Sequence, residues 1–162
     1  MKKHFLACCL VLAGSAWGQA TWFTVMGDTG NPAVDTIEVD PTPLSASASD
    51  ESQTMRIRVS RRELRKNWEG LPYQSYEADV VFDCTNKKAR YTSVVFYLEP
   101  VWQGKSHNTS VYTKENPRWM EFRDVSPNPT WQIIRAACES DRVKTSDAPG
   151  QLLLWEDAVH LV

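Results

Sequence analysis

Cysteine is scarce in this chain, and the little there is falls in two places. Cys8 and Cys9 lie in a short apolar run near the start, and only Cys84 and Cys138 lie beyond it. A metal site at Cys84 or Cys138 would need more cysteine or histidine nearby, and neither is present. No CxxC pair, GxSxG elbow, HExxH helix or phosphate-binding glycine loop occurs, so no motif points to redox, hydrolytic or nucleotide chemistry. The expectation is a protein without cofactor or metal. No apolar run reaches the roughly 20 residues that span a bilayer as a helix. Nor is there a strong excess of one charge: the formal net charge is −2, which argues against a dedicated nucleic-acid binder.

What is present begins with Met1 to Ala20. Lys2 and Lys3 give a positive start, Phe5 to Ala13 is uncharged and apolar, and small residues follow, so residues 1–20 read as a secretory signal peptide. A membrane anchor would need a longer run. A lipid-modified cysteine would sit after the apolar core, whereas Cys8 and Cys9 sit inside it. About 140 residues remain, enough for one domain with a proper core. Removing Lys2 and Lys3 leaves sixteen basic against twenty acidic groups, a mildly acidic balance.

Export sets how Cys84 and Cys138 are read. An isolated pair in an oxidising compartment forms a disulfide, worth about 4 kcal/mol for a loop of this size. A catalytic thiol is the rival reading, and it would need His107 or His160 as an activating base.

The stretch from Ser75 to Leu98 predicts a long β-hairpin. Tyr76, Ala78, Val80, Phe82 and Cys84 share one face of its first arm, and Glu77, Asp79 and Asp83 the other. Thr85 to Lys88 supply the reversal. The second arm, Ala89 to Leu98, is rich in β-branched and aromatic residues, but its alternation does not reveal which face is inside. Upstream, Thr21 to Met26 and Ala33 to Val39 are further strands, around the turn-rich Gly27 to Pro32. Met55, Ile57 and Val59 alternate with Arg56, Arg58 and Ser60, the cleanest strand pattern in the chain. The polar run Thr42 to Ser52 predicts a mobile loop, Arg61 to Asn67 a short helical or irregular connection, and Gly104 to Thr109 a polar loop. Ser110 to Thr113 and Arg118 to Phe122 are short strand candidates.

After Pro127-Asn128-Pro129 the period changes. Thr130 reads as a helix N-cap, and Trp131, Ile134, Ala137 and Cys138 share one helical face. A Cys84–Cys138 bond would therefore staple a late helix across the hairpin. The expected fold is α+β: one small domain, a mainly antiparallel sheet of about six strands and a C-terminal helix tethered to it by the disulfide. The domain is placed at residues 21–140, with residues 141–162 as an extension whose LLLWEDAVHLV end is apolar.

The surface candidate is the basic cluster Arg56, Arg58, Arg61, Arg62, Arg65 and Lys66. It is either a ligand-binding patch for polyanions or acidic proteins, or a face neutralised by Glu77 and Asp79 across the sheet. Asp28, Asn31 and Asp35 lack the ordered spacing of a calcium loop and read as turn formers. The tryptophans read as core.

Several segments together resemble the surface-adhesin protein E family of Gram-negative bacteria. They are Trp22, VDTIEVD (Val34 to Asp40), YQSYEADVVFDC (Tyr73 to Cys84), ARY (Ala89 to Tyr91), RWMEF (Arg118 to Phe122) and SPNPTWQIIRAAC (Ser126 to Cys138). The resemblance implies a small antiparallel sheet with a disulfide-held C-terminal helix. It further implies a non-enzymatic protein, exported to the periplasm or outer surface, that binds host extracellular matrix or serum proteins. A homo-oligomer is a further candidate state. The rival functions are an envelope accessory protein without a host ligand and, more remotely, a small secreted hydrolase.

Overall fold

A computed structural model describes residues 22–47 and 52–143 of the chain. The expected leader, the 152–162 segment and the middle of the Thr42–Ser52 run lie outside the described residues. Among those described, the elements in order are β1 (Phe23–Met26), β2 (Thr36–Val39), β3 (Ser45–Ser47), β4 (Ser52–Lys66), β5 (Pro72–Asp83), β6 (Lys88–Tyr97), β7 (Ser106–Val111), β8 (Arg118–Trp119) and α1 (Thr130–Val143). Six strands lie side by side in the order β1-β2-β4-β5-β6-β7, with β3 added to β4 and β8 to β6. Every pairing is antiparallel. This is the expected α+β architecture.

The core follows from strand alternation. Ile37 and Val39 on β2 stand opposite Val59 and Ile57 on β4, and Met55 and Ile57 stand opposite Val80 and Ala78 on β5. Val94 and Phe96 continue the layer on β6, opposite Ala78 and Tyr76. All are buried. Burying a side chain of the Val, Ile or Phe class contributes about 1.5–3 kcal/mol. The helix closes this face through Ile133, Ile134, Ala136 and Ala137, joined by Met120, Phe122 and Val125 from the preceding segment. Gln53, on the inward side of β4, donates to the Ala137 carbonyl.

Cys84 follows the last residue of β5 and is bonded to Cys138 in α1 across 54 positions, with the α-carbons 5.4 Å apart. The staple inferred from the sequence is present.

Several local expectations are corrected. The 61–67 stretch is not helical: β4 continues to Lys66, with a register shift between Ser60 and Arg65 that absorbs the irregularity. Part of the 42–52 run is strand β3, because Ser45 to Ser47 find backbone partners on β4. Ser106 to Thr109 belong to edge strand β7, not a loop. Of Arg118 to Phe122 only Arg118 and Trp119 form strand β8; the Met120 N–H still donates to the Ala89 carbonyl at 2.8 Å, and Met120 and Phe122 are buried. Thr130 is the first residue of α1. Its backbone N–H donates to Asn128 Oδ1, and its hydroxyl accepts from the Phe122 N–H.

Trp131 is not on the buried stripe: it is 51% exposed. At 100° per residue the centre of the stripe lies between Ile133 and Ala137, and Trp131 falls on the flank beside Cys138. The unclear alternation of the second hairpin arm also has a cause. Ala89 and Tyr91 are buried, then the parity switches to Val94 and Phe96. A bulge at Thr92, whose hydroxyl donates to the Asp79 carbonyl, shifts the register there.

Candidate binding surface

The basic residues divide among three environments. Arg56 and Arg58 project from the sheet face opposite Met55 and Ile57. Asp79 and Glu77 stand across from them in register, as the pattern implied. The ion pairs, however, run to the other neighbour. Arg58 Nε donates to Glu38 at 2.6 Å, and Arg56 donates to Asp40. Both carboxylates are buried. Glu38 also accepts from the Thr29 hydroxyl at 2.7 Å and the Thr24 hydroxyl at 3.2 Å. Arg61 continues the inward parity of Met55, Ile57 and Val59 and is buried, and there it bridges Asp35 and Asp124 at 3.2 and 3.1 Å. Arg62 makes a loose surface pair with Glu63 at 3.7 Å. Arg65 and Lys66 close β4 opposite Tyr73 and Pro72. The six cations are thus two on the outer face, one buried bridge and three near the strand end.

The outer-face pair sits within an aromatic clamp. The Arg58 guanidinium lies 4.2 Å from the Trp22 ring centre and 4.0 Å from that of Trp102. Trp102 reaches this position through a tight turn, Pro100–Trp102, in which Val101 and Trp102 have φ of 50° and 58°. That region is strained for residues with a β-carbon, and most of all for a β-branched one. Two buried serines hold it. Ser60 Oγ accepts from the Val101 N–H at 2.9 Å and Ser75 Oγ from the Trp102 N–H at 3.1 Å. The Trp102 indole donates to the Tyr76 carbonyl at 3.0 Å. Trp22, Trp102 and Arg58 therefore form a packed structural unit.

A second aromatic surface is open. The hairpin tip, the segment after β8 and the first turns of α1 enclose a cavity of about 340 Å³. Its floor is Ala89, Met120 and Ile134, and its rim carries Lys87, Lys88, Trp119, Glu121 and Thr130. Trp119 is 44% exposed. Lys88 Nζ stands 5.4 Å from its ring centre, and Lys87 Nζ stands 5.6 Å from that of Trp131. The positions have local causes. Asp83 accepts from Asn86 N and Nδ2 at 2.9 and 2.8 Å, which shapes the hairpin reversal and holds its carboxyl below the ordinary range. Lys87 takes φ of 54° at the end of that reversal. The Cys84–Cys138 bond ties the tip to the helix.

Reading every tryptophan as core misses this groove. A signal was available in RWMEF, where Met120 and Phe122 alternate with Trp119 and Glu121: an inward Met120 sends Trp119 outward.

Asp28, Asn31 and Asp35 serve the chain itself. Asn31 bonds Asp28 and the Ala33 N–H, and Asp35 accepts from Arg61 and the Arg62 N–H. Among the described residues no three metal-ligating side chains converge. His107 is exposed on β7. No described helix is long and apolar enough to cross a membrane.

The chain is thus a disulfide-stapled α+β domain with an open aromatic groove. The profile of the surface-adhesin protein E family matches residues 22–139, and the chain belongs to that family. The match spans every described strand and most of α1. No curated protein and no solved structure matches the chain.

Proposed function

We propose that the protein is an exported, non-enzymatic binding protein that engages host extracellular matrix or serum proteins from the outer cell surface. The observation that carries this reading is the pair of half-exposed tryptophans, Trp119 and Trp131, on a rigid disulfide-stapled frame. Aromatic side chains in contact with solvent are over-represented where proteins bind one another. Membership of a surface-adhesin family supports the same reading. Residues 1–20 are taken as the cleaved leader and residues 21–140 as the adhesin E-like domain. The three cations near the end of β4, Arg62, Arg65 and Lys66, are the part of the predicted basic cluster offered as a contact for polyanions; Arg56, Arg58 and Arg61 are committed to carboxylates.

The test is a binding panel of matrix and serum proteins against the purified oxidised protein, with heparin as the polyanion. Binding of at least one host protein, weakened by Trp119→Ala/Trp131→Ala, is the expected result. A panel with no binder would overturn the reading in favour of an envelope accessory role. Arg62→Ser/Arg65→Ser/Lys66→Ser is expected to reduce heparin retention; unchanged retention removes the strand-end patch.

A further inference from the structure

Resting on the reading of the protein as a binder, we infer that the groove between the hairpin tip and α1 recognises an acidic, apolar peptide segment on a partner protein. Its floor is apolar: Ala89, Met120 and Ile134 offer methyl, thioether and aliphatic surface. A volume of about 340 Å³ admits one or two large side chains. The rim is cationic. Lys87 and Lys88 stand over Trp131 and Trp119, so each ammonium is already positioned beside an aromatic face. Among the described residues neither lysine has a carboxylate within 4 Å; Asp83, across the hairpin from Lys88, is engaged by Asn86. The one acidic side chain of the rim, Glu121, is paired with Arg123 at 2.7 Å, which offsets its charge. The groove therefore presents two positive charges around an apolar pit.

Charge complementarity selects carboxylates for the rim and an apolar side chain for the floor. A glycan fits less well. Sugar hydroxyls need several hydrogen-bonding partners, and the floor supplies none from its side chains. The Thr130 hydroxyl on the rim already accepts from the Phe122 N–H at 2.9 Å. A peptide in which leucine or phenylalanine alternates with glutamate or aspartate satisfies both parts.

The experiment uses the full oxidised protein and a fluorescently labelled ten-residue peptide of alternating Leu/Phe and Glu/Asp. Its Gln/Asn counterpart is the control. The acidic peptide is expected to bind at least tenfold more tightly than the amide one, and more weakly as salt rises. Lys87→Glu/Lys88→Glu is expected to weaken it tenfold or more, and Trp119→Ala/Trp131→Ala likewise, with circular dichroism and Tm showing an intact fold. Lys87→Gln/Lys88→Gln, which adds no repulsion, is expected to give an intermediate loss. Equal binding of the two peptides, no binding of either, or indifference to both lysine variants would overturn the proposal. So would a groove that takes sulfated or sialylated oligosaccharides in place of the peptide. Host-protein binding that persists while the peptide fails discards this ligand class and leaves the binder reading intact.

Discussion

Glu38 is 1% exposed, and three donors hold it: Arg58 Nε and the hydroxyls of Thr24 and Thr29. Removing one partner of a buried pair leaves the other charge uncompensated, at a cost of about 3 kcal/mol or more. Arg58→Ala should therefore lower the denaturant midpoint substantially, whereas Arg58→Met combined with Glu38→Leu should recover most of the loss. A double variant as unstable as the single one would show that the cost lies in the packing of Trp22 and Trp102. Tyr76 and Tyr91, buried with their hydroxyls 2.9 Å apart, give a pH-dependent counterpart. Burial, above all, raises both phenols above the ordinary value of 10.0, with mutual repulsion adding for Tyr76. The folded state then holds these protons more tightly than the unfolded chain. Their contribution is complete below about pH 10 and is lost as pH rises through the folded values. Alkaline titration should show their phenolate absorbance only as the fold opens, and Tyr76→Phe/Tyr91→Phe should move the alkaline transition upward.

At the scale of elements, the hairpin and the helix were legible because each repeats its period long enough to be counted. Tyr76, Ala78, Val80 and Phe82 keep strict alternation, and both cysteines fall where one staple joins the two elements. What the sequence hid has a common cause: residues out of step. Thr92 inserts one position into β6, and the stretch between Ser60 and Arg65 inserts three into β4, so local periodicity reads as noise where pairing in fact continues. Trp131 misled for the opposite reason. A large apolar side chain near the edge of a helical stripe scores as core although its flank faces solvent. Cys84→Ser/Cys138→Ser should cost about 4 kcal/mol for the 54-position separation, less if the unbridged chain stays compact. Chemical denaturation under non-reducing conditions checks it. The Asp83 turn should weaken in acid. Its depressed carboxyl contributes in full above the unfolded value near 3.9 and loses that contribution as pH falls through the folded one. Asn86→Ala should reduce this acid sensitivity, read as a smaller fall in stability between pH 5 and about pH 3.

For the molecule as a whole, Trp68 packs against the core and the sheet separates two other pairs of tryptophan. Trp22 and Trp102 are spent on holding Arg58, while Trp119 and Trp131 face outward at the far end of the hairpin. Truncating the outward pair should leave Tm within a few degrees of the parent while removing partner binding; exposed positions of this kind rarely contribute more than about 0.5 kcal/mol to folding. A large fall in Tm would instead assign them to the scaffold. The groove's two walls belong to segments more than forty positions apart, and one covalent bond fixes their spacing. If the groove binds as proposed, recognition is conditional on chemistry that follows synthesis. Reduced protein should then grip the acidic peptide poorly, and air oxidation of the same material should restore the grip, so that a copy still in a reducing cytosol would be spared contact with the ligand.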